Sequence, residues 1–284
     1  LGQVAQQHDR LKERLVRIGS VFAVMSGKGG VGKSTVTACL ADGLTRLGVR
    51  TGVLDADLNG PCMARMMGVK DYVPLPQNGA MIAACNAYGV PVMSMDMFLP
   101  EDETPLVWEA SSQQGAYTWR SMVEMSALRE LLSDTDWGDL DVLLIDLPPG
   151  AERLQNLADL LPDLAGAIVV STASQTAMTV VSRSISMALN VSDVRIAGVV
   201  ENMSTMICSE CGCKEQMFIG AETVEELAER HGIPYLGAIP FSVTLADFLE
   251  TGRSYIETHT GYPAANAILD IAQRVHFSLK NQSK

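Results

Sequence analysis

Gly27 to Ser34 reads GKGGVGKS, which satisfies the spacing G-x-x-x-x-G-K-S. That pattern suits a phosphate chain. Glycines let successive backbone N–H groups converge on an anion, and a helix opening directly behind them adds its positive end. Lys33 is placed to reach the β- and γ-phosphates, and the Ser34 hydroxyl is placed on Mg2+. Val21 to Met25, ahead of the motif, is an apolar run that reads as a buried strand, and Thr35 to Leu47 behind it reads as a helix. The motif therefore has the strand–loop–helix context its chemistry requires. Gly27, Lys28, Gly29, Gly30, Val31, Gly32, Lys33, Ser34 and Thr35 are the candidate nucleotide-binding residues.

Carboxylates recur where such a site would use them. Thr51 to Leu54 reads as a strand that delivers Asp55 and Asp57 to its C-terminal end, the edge where ligands of open parallel sheets gather. Asp57 suits the orientation of an attacking water or of a metal's water shell, whereas Asp55 has a turn cap as its alternative reading. Asp141 to Leu147, DVLLIDL, is a second apolar strand; it presents Asp146 ahead of Pro148-Pro149-Gly150, the form of a Walker B carboxylate followed by a switch loop. Asp146 would hold Mg2+ through a water. Lys28, Lys33, Asp57 and Asp146 are thus the candidate catalytic set. Asn202, ending the strand Val194 to Glu201, is placed either to read an adenine edge or to cap a turn. Pro240 and Phe241, which close a last strand from Tyr235 to Ile239, are grouped with the nucleotide-binding residues.

A second chemistry is written in CSECGC, residues 208 to 213. Cys208 and Cys211 have C-x-x-C spacing, short enough to share one metal centre. Zinc or an iron–sulfur cluster usually takes four thiolates, and one chain supplies this pair plus Cys213, which is tightly spaced from Cys211. Two copies related by a two-fold axis would bring together four. Zinc and a cluster both fit that arithmetic. A redox dithiol fits less well, because the motif does not open a helix in its own βαβ unit.

The elements that must position these groups follow from the wider pattern. The 284 residues are 47% hydrophobic and 19% charged, enough for one large α/β domain and unlike a disordered chain. Apolar strands alternate with helical periods at Trp119 to Leu132, Thr176 to Leu189, Glu222 to His231 and 263 to 277. The expected fold is doubly wound α/β, a mainly parallel sheet with helices on both faces. Residues 1–19 read as an N-terminal helical extension and 20–284 as a single domain carrying the cysteine segment as an insertion, while Leu99 to Tyr117 lacks a clean period and reads as a surface excursion. A formal net charge of −12, from 33 acidic and 21 basic residues, with no Lys/Arg run, argues against duplex DNA as a partner. No apolar run approaches the roughly 20 residues of a membrane helix, and the first residues lack the apolar core of a signal peptide. The expectation is a cytoplasmic protein without stable membrane insertion.

Taken together, SGKGGVGKST, DADLNGP, the run from Trp119 to Gly150 ending in DVLLIDLPPG, ENMS followed by C-x-x-C-G, and LGAIPF resemble the Mrp/ApbC family of P-loop ATPases. The octet with Lys28 resembles the deviant phosphate loop of the wider MinD/ParA class. This resemblance implies a nucleotide-sandwich homodimer in which Lys28 reaches the partner's nucleotide. It further implies ATP and Mg2+ at Gly27 to Thr35 with Asp57 and Asp146, and a 4Fe–4S cluster bridging two chains through Cys208 and Cys211. The implied activity is slow ATP hydrolysis with delivery of the cluster to apo iron–sulfur proteins. The chain departs from the family pattern in five places: PPGTGD becomes PPGAER, which puts Arg153 where an acid is usual; GPS becomes Gly60-Pro61-Cys62; WRGP becomes Trp119-Arg120-Ser121-Met122; residues 99 to 118 are longer than the family norm; and Cys213 is an extra thiol. The stretch from Pro149 to Glu152 resembles the MinD branch, so a MinD-like membrane- or partner-positioning ATPase is the rival reading. A zinc-stapled regulatory ATPase is a third.

Overall fold

The computed structural model describes residues 2–77, 79–98, 116–190, 194–207, 211–220, 222–249 and 251–280. The chain opens with α1 (Gly2–Leu15) and β1 (Ile18–Ser26), then α2 (Lys33–Arg46), β2 (Thr51–Asp55) and the one-turn α3 (Met63–Met66). Four short strands follow: β3 (Pro76–Gln77), β4 (Ala80–Ile82), β5 (Ala84–Cys85) and β6 (Pro91–Met93). Next are α4 (Ala116–Asp134), β7 (Thr135–Asp136), β8 (Leu140–Asp146), α5 (Ala151–Leu160), β9 (Gly166–Ser171) and α6 (Gln175–Asn190). The last third holds β10 (Ile196–Ile207), β11 (Lys214–Gln216), α7 (Val224–Arg230), β12 (Tyr235–Phe241), α8 (Val243–Leu249), α9 (Tyr255–Thr258) and α10 (Pro263–Lys280).

The main sheet runs β11-β10-β9-β1-β8-β2-β6-β5, with β12 on β10. Every pairing from β12 to β6 is parallel; only β11 and β5 join antiparallel, which bears out the doubly wound expectation. β1 lies between β8 and β9 and is covered on both faces, which is why Phe22 to Met25 form an unbroken apolar run rather than an alternating one. Burying side chains of that size stabilises by about 1.5–3 kcal/mol each. The chain moves one way along the sheet from β1 to β2 and the other way from β8 to β9 and β10. Right-handed crossovers therefore place α2 and α5–α7 on opposite faces, with α10 returning to pack on α2 and β12. A separate small sheet, β3-β4-β7, lies off this path.

The N-terminal helix stops at Leu15, earlier than its apolar pattern reads, because Ile18 already pairs with Leu140 in the sheet. It packs on α4, with Leu11 buried and Arg10 paired to Asp134 at 3.1 Å. β4 and β5, separated by Ala83, belong to different sheets. Of the expected excursion at 99 to 117, residues 99–115 lie outside the described residues, and α4 begins at Ala116. β12 continues through Pro240 and Phe241 instead of ending before them; among the described residues β12 pairs only with β10, and an edge strand tolerates the missing proline N–H.

Candidate nucleotide and thiol site

The loop after β1 turns sharply because its glycines permit it. Gly30 and Gly32 have φ of 81° and 79°, in the left-handed region that a side chain disfavours. Gly27 lies against α6, where a Cβ would come within 2.9 Å of the Val181 backbone nitrogen. Around Gly29 and Gly30 a Cβ would meet nothing, so the cradle opens to space on the side where a phosphate would enter. Ser26 Oγ donates to the Lys28 carbonyl at 3.0 Å and steadies the entry to the loop. Val31 is buried, Ser34 and Thr35 are half-buried, and the Lys28 side chain is exposed.

Behind the loop the charges are closely matched. Asp146 is fully buried at the end of β8, and Lys33 Nζ donates to its Oδ2 at 2.5 Å. Ser34 Oγ donates to the same oxygen at 2.6 Å. Thr37 Oγ1 lies 2.6 Å from the other carboxylate oxygen, a partner that the sequence motif did not single out. One carboxylate thus collects an ammonium and two hydroxyls, the satisfied form that a buried charge requires. These residues fit Mg2+ and a nucleotide. A small hard cation takes one or two carboxylates plus phosphate oxygens, and the Ser34 hydroxyl already sits beside Asp146.

Asp55 is the register partner of Asp146 on the adjacent strand and is also fully buried. It accepts from the backbone N–H groups of Asp57, Cys62 and Met63 and from Ser94 Oγ, so it caps the whole turn that follows β2. Burial, and then the neighbouring Asp146 charge, push its carboxyl upward, while the donors from Met63, Cys62 and Ser94 oppose that shift. Asp57 is half-buried within that turn. Burial pushes the Cys62 thiol up to about 11; the Ser34 hydroxyl resists this, and Asp55 and Asp146 reinforce it.

Asn202 is buried, and its Nδ2 donates to the Val31 carbonyl at 3.0 Å, tying β10 to the phosphate loop. The sequence left Asn202 between an adenine edge and a turn cap; its amide nitrogen is engaged by the phosphate loop. Pro240 and Phe241 are half-buried on β12, where Ile239 pairs with Asn202 and Phe241 with Met206. From Asn202, β10 runs on to Ile207 and folds back antiparallel through β11, with Ile207 opposite Lys214. Cys211, the second thiol of the C-x-x-C motif, therefore lies between two paired strands. Cys211 and Cys213 are exposed there, beside Gly212 at φ 70°, and Cys208 lies outside the described residues. Met206, Met217 and Ile219 leave apolar surface exposed along the same stretch.

Residues 17–276 match the family model described as ParA, "NUBPL iron-transfer P-loop NTPase". The chain belongs to this family. An iron–sulfur cluster carrier protein of Methanocaldococcus jannaschii is 36% identical over 250 residues, covering 88% of this chain and 82% of that one. A protein of the same description from Saccharolobus solfataricus is 32% identical over 267 residues, covering 94% and 86%. Among solved structures, a nucleotide-binding protein of Archaeoglobus fulgidus in complex with ADP superposes with a TM-score of 0.73 at 31% identity, covering 91% of this chain and 95% of that one. The MinD cell division protein of Aquifex aeolicus gives 0.60 at 22% identity, covering 91% and 97%, a likeness of fold alone. Among the described residues no helix is long and apolar enough to cross a membrane.

Proposed function

We propose that this member of the iron-transfer NTPase family is an iron–sulfur cluster carrier that binds and slowly hydrolyses Mg–ATP. It holds its cargo between two copies, through Cys208 and Cys211 of each, and passes it to apo-proteins in the cytoplasm. The observation that carries this reading is the course of β10. One continuous strand is bonded to the phosphate loop through Asn202 and Val31 and leads into the segment that carries Cys211.

Binding of ATP draws Lys33 from Asp146 to the phosphates, since the phosphate chain offers it more negative charge than one carboxylate. Backbone N–H groups of Gly29 to Lys33 surround the β-phosphate. Ser34 and Asp146 are the residues that would hold Mg2+, which when bound draws charge from the β- and γ-oxygens. Asp57 orients a water and takes its proton as the water oxygen bonds to the γ-phosphorus and the bond to the β,γ-bridging oxygen breaks, releasing ADP and phosphate. Asn202 retains its carbonyl oxygen for the adenine amino group, beside Pro240 and Phe241. Lys28, exposed at the rim, reaches the nucleotide of a second copy.

Anaerobic reconstitution with iron and sulfide tests the cargo. Wild type is expected to retain a coloured cluster, and Cys208→Ala and Cys211→Ala to lose it. Equal retention by all three ends the carrier reading, and colourless protein holding about one zinc per dimer replaces it with a zinc staple.

A further inference from the structure

Asp57 and Asp146 are each followed by a segment that can respond to nucleotide, and one buried carboxylate touches both segments. Glu124, on α4, is only 6% exposed. Its Oε1 accepts from Asn59 Nδ2 at 2.9 Å, two residues beyond Asp57. Its Oε2 pairs with Arg153 Nη1, in the first turn of α5 and just past Gly150. Leu58, Met125, Leu128, Leu147 and Pro148 line a small cavity together with these groups, and little of the carboxylate reaches solvent. A carboxylate in such surroundings depends on its donors, because losing one leaves charge without solvation. Both segments thus hold the same carboxylate, one at each oxygen.

We propose that Glu124 is a positioning residue that couples the segment after Asp57 to the segment after Asp146, and that Arg153 acts through this bond rather than on phosphate. The coupling rests on the ATPase reading given above. It also accounts for the cation in the PPGAER stretch, since Arg153 anchors the start of α5 to the same group that anchors Asn59. Movement of Asn59 on nucleotide binding is then delivered to α5 as a change at a shared acceptor.

The test uses the full chain. ATP affinity by titration and steady-state hydrolysis are measured for wild type, Glu124→Gln, Arg153→Ala, Arg153→Lys, Asn59→Ala and the Glu124→Gln/Arg153→Ala double variant, with thermal melting as a check on folding. Each single loss is expected to lower kcat about tenfold, in the range of coupling between contacting groups, while KM and ATP affinity stay within about twofold. The double variant is expected to lose no more than either single, and Arg153→Lys, which keeps a cation, to recover most of the rate. Losses that multiply in the double variant overturn the coupling, as does an Arg153→Ala that weakens ATP binding while Glu124→Gln and Asn59→Ala leave kcat unchanged. If Glu124→Gln does not fold, the Asn59→Ala and Arg153→Lys results decide. Wild type that binds no ATP overturns the ATPase reading itself, which is a different outcome from additive losses.

Discussion

Lys33 Nζ stands 2.5 Å from Asp146 Oδ2, with the lysine side chain 7% exposed and the aspartate fully buried. The pair neutralises itself behind an open phosphate cradle, so a nucleotide must compete with Asp146 for the ammonium. Asp146→Asn removes the competitor. The expected result is ATP binding without Mg2+ that is tighter by about tenfold, the scale of one charge-assisted hydrogen bond. Hydrolysis falls by at least ~100-fold, as for loss of a group that stabilises developing charge. Titration in EDTA and turnover in Mg2+ measure the two separately. Weaker Mg-free binding than wild type would contradict this account of the pair.

A second prediction concerns the seam between the loop and β10. At Gly32 a Cβ would lie 2.2 Å from Asn202 Nδ2, on a backbone with φ 79°. Gly32→Ala therefore meets left-handed strain of about 1–2 kcal/mol as well as a clash with the amide that holds Val31. Nucleotide binding should disappear while circular dichroism keeps the α/β signature. Asn202→Ala avoids the clash but leaves the Val31 carbonyl unpaired, at about 1–3 kcal/mol. Calorimetric titration should show its ATP affinity reduced by roughly tenfold or more, and unchanged affinity would mean the bond is idle.

The thiols should differ in their readiness to react. Cys62 is half-buried with its pKa pushed up to about 11, so almost none is thiolate at neutral pH. On protein stripped of metal by a chelator, iodoacetamide at about pH 7.5 should modify exposed Cys211 and Cys213 well before Cys62, with peptide mass spectrometry following each site. Early labelling of Cys62 would show that its surroundings open in solution.

The pH dependence of stability follows from Asp55. Its carboxyl is raised from 3.8 to about 7, first by burial and then by Asp146. For an acid whose folded-state pKa is raised, the protonated form is favoured by folding. The contribution is complete below the unfolded value and is lost as the pH climbs through about 7. Wild type without nucleotide should lose melting temperature across that window relative to Asp55→Asn, which has no proton to give up there. Parallel melting curves for the two proteins would remove Asp55 as the cause.

The phosphate loop and the parallel core were legible because their signals are local and strong. Gly27 to Ser34 carries a motif with its strand and helix attached, and DVLLIDL can be little other than a buried strand ending in a carboxylate. The helix α5 was not legible, since Pro148-Pro149-Gly150 marks a loop and gives no sign that a helix opens at the very next residue, with Gly150 as its N-cap at φ 117°. α8 and α9 are too short for an apolar period to accumulate. Asp55 was open between ligand and cap because the choice depends on the N–H groups of Cys62 and Met63, which only the folded turn brings to it. Thr37 and Glu124 gave no sequence signal at all: the first resembles any helix threonine, and the partners of the second lie 65 and 29 residues away.

The placement of β1 has a consequence for biosynthesis. It is the middle strand of the sheet, yet both its neighbours, β8 and β9, are made far later in the chain. During translation Phe22 to Met25 leave the ribosome with neither edge occupied, and stay so until the chain has passed Leu140. Long-range parallel pairing of this kind is slow to form and leaves apolar edges open to aggregation in the meantime. A nascent chain cut short before Leu140 should therefore be a client for chaperones rather than a small folded ATPase.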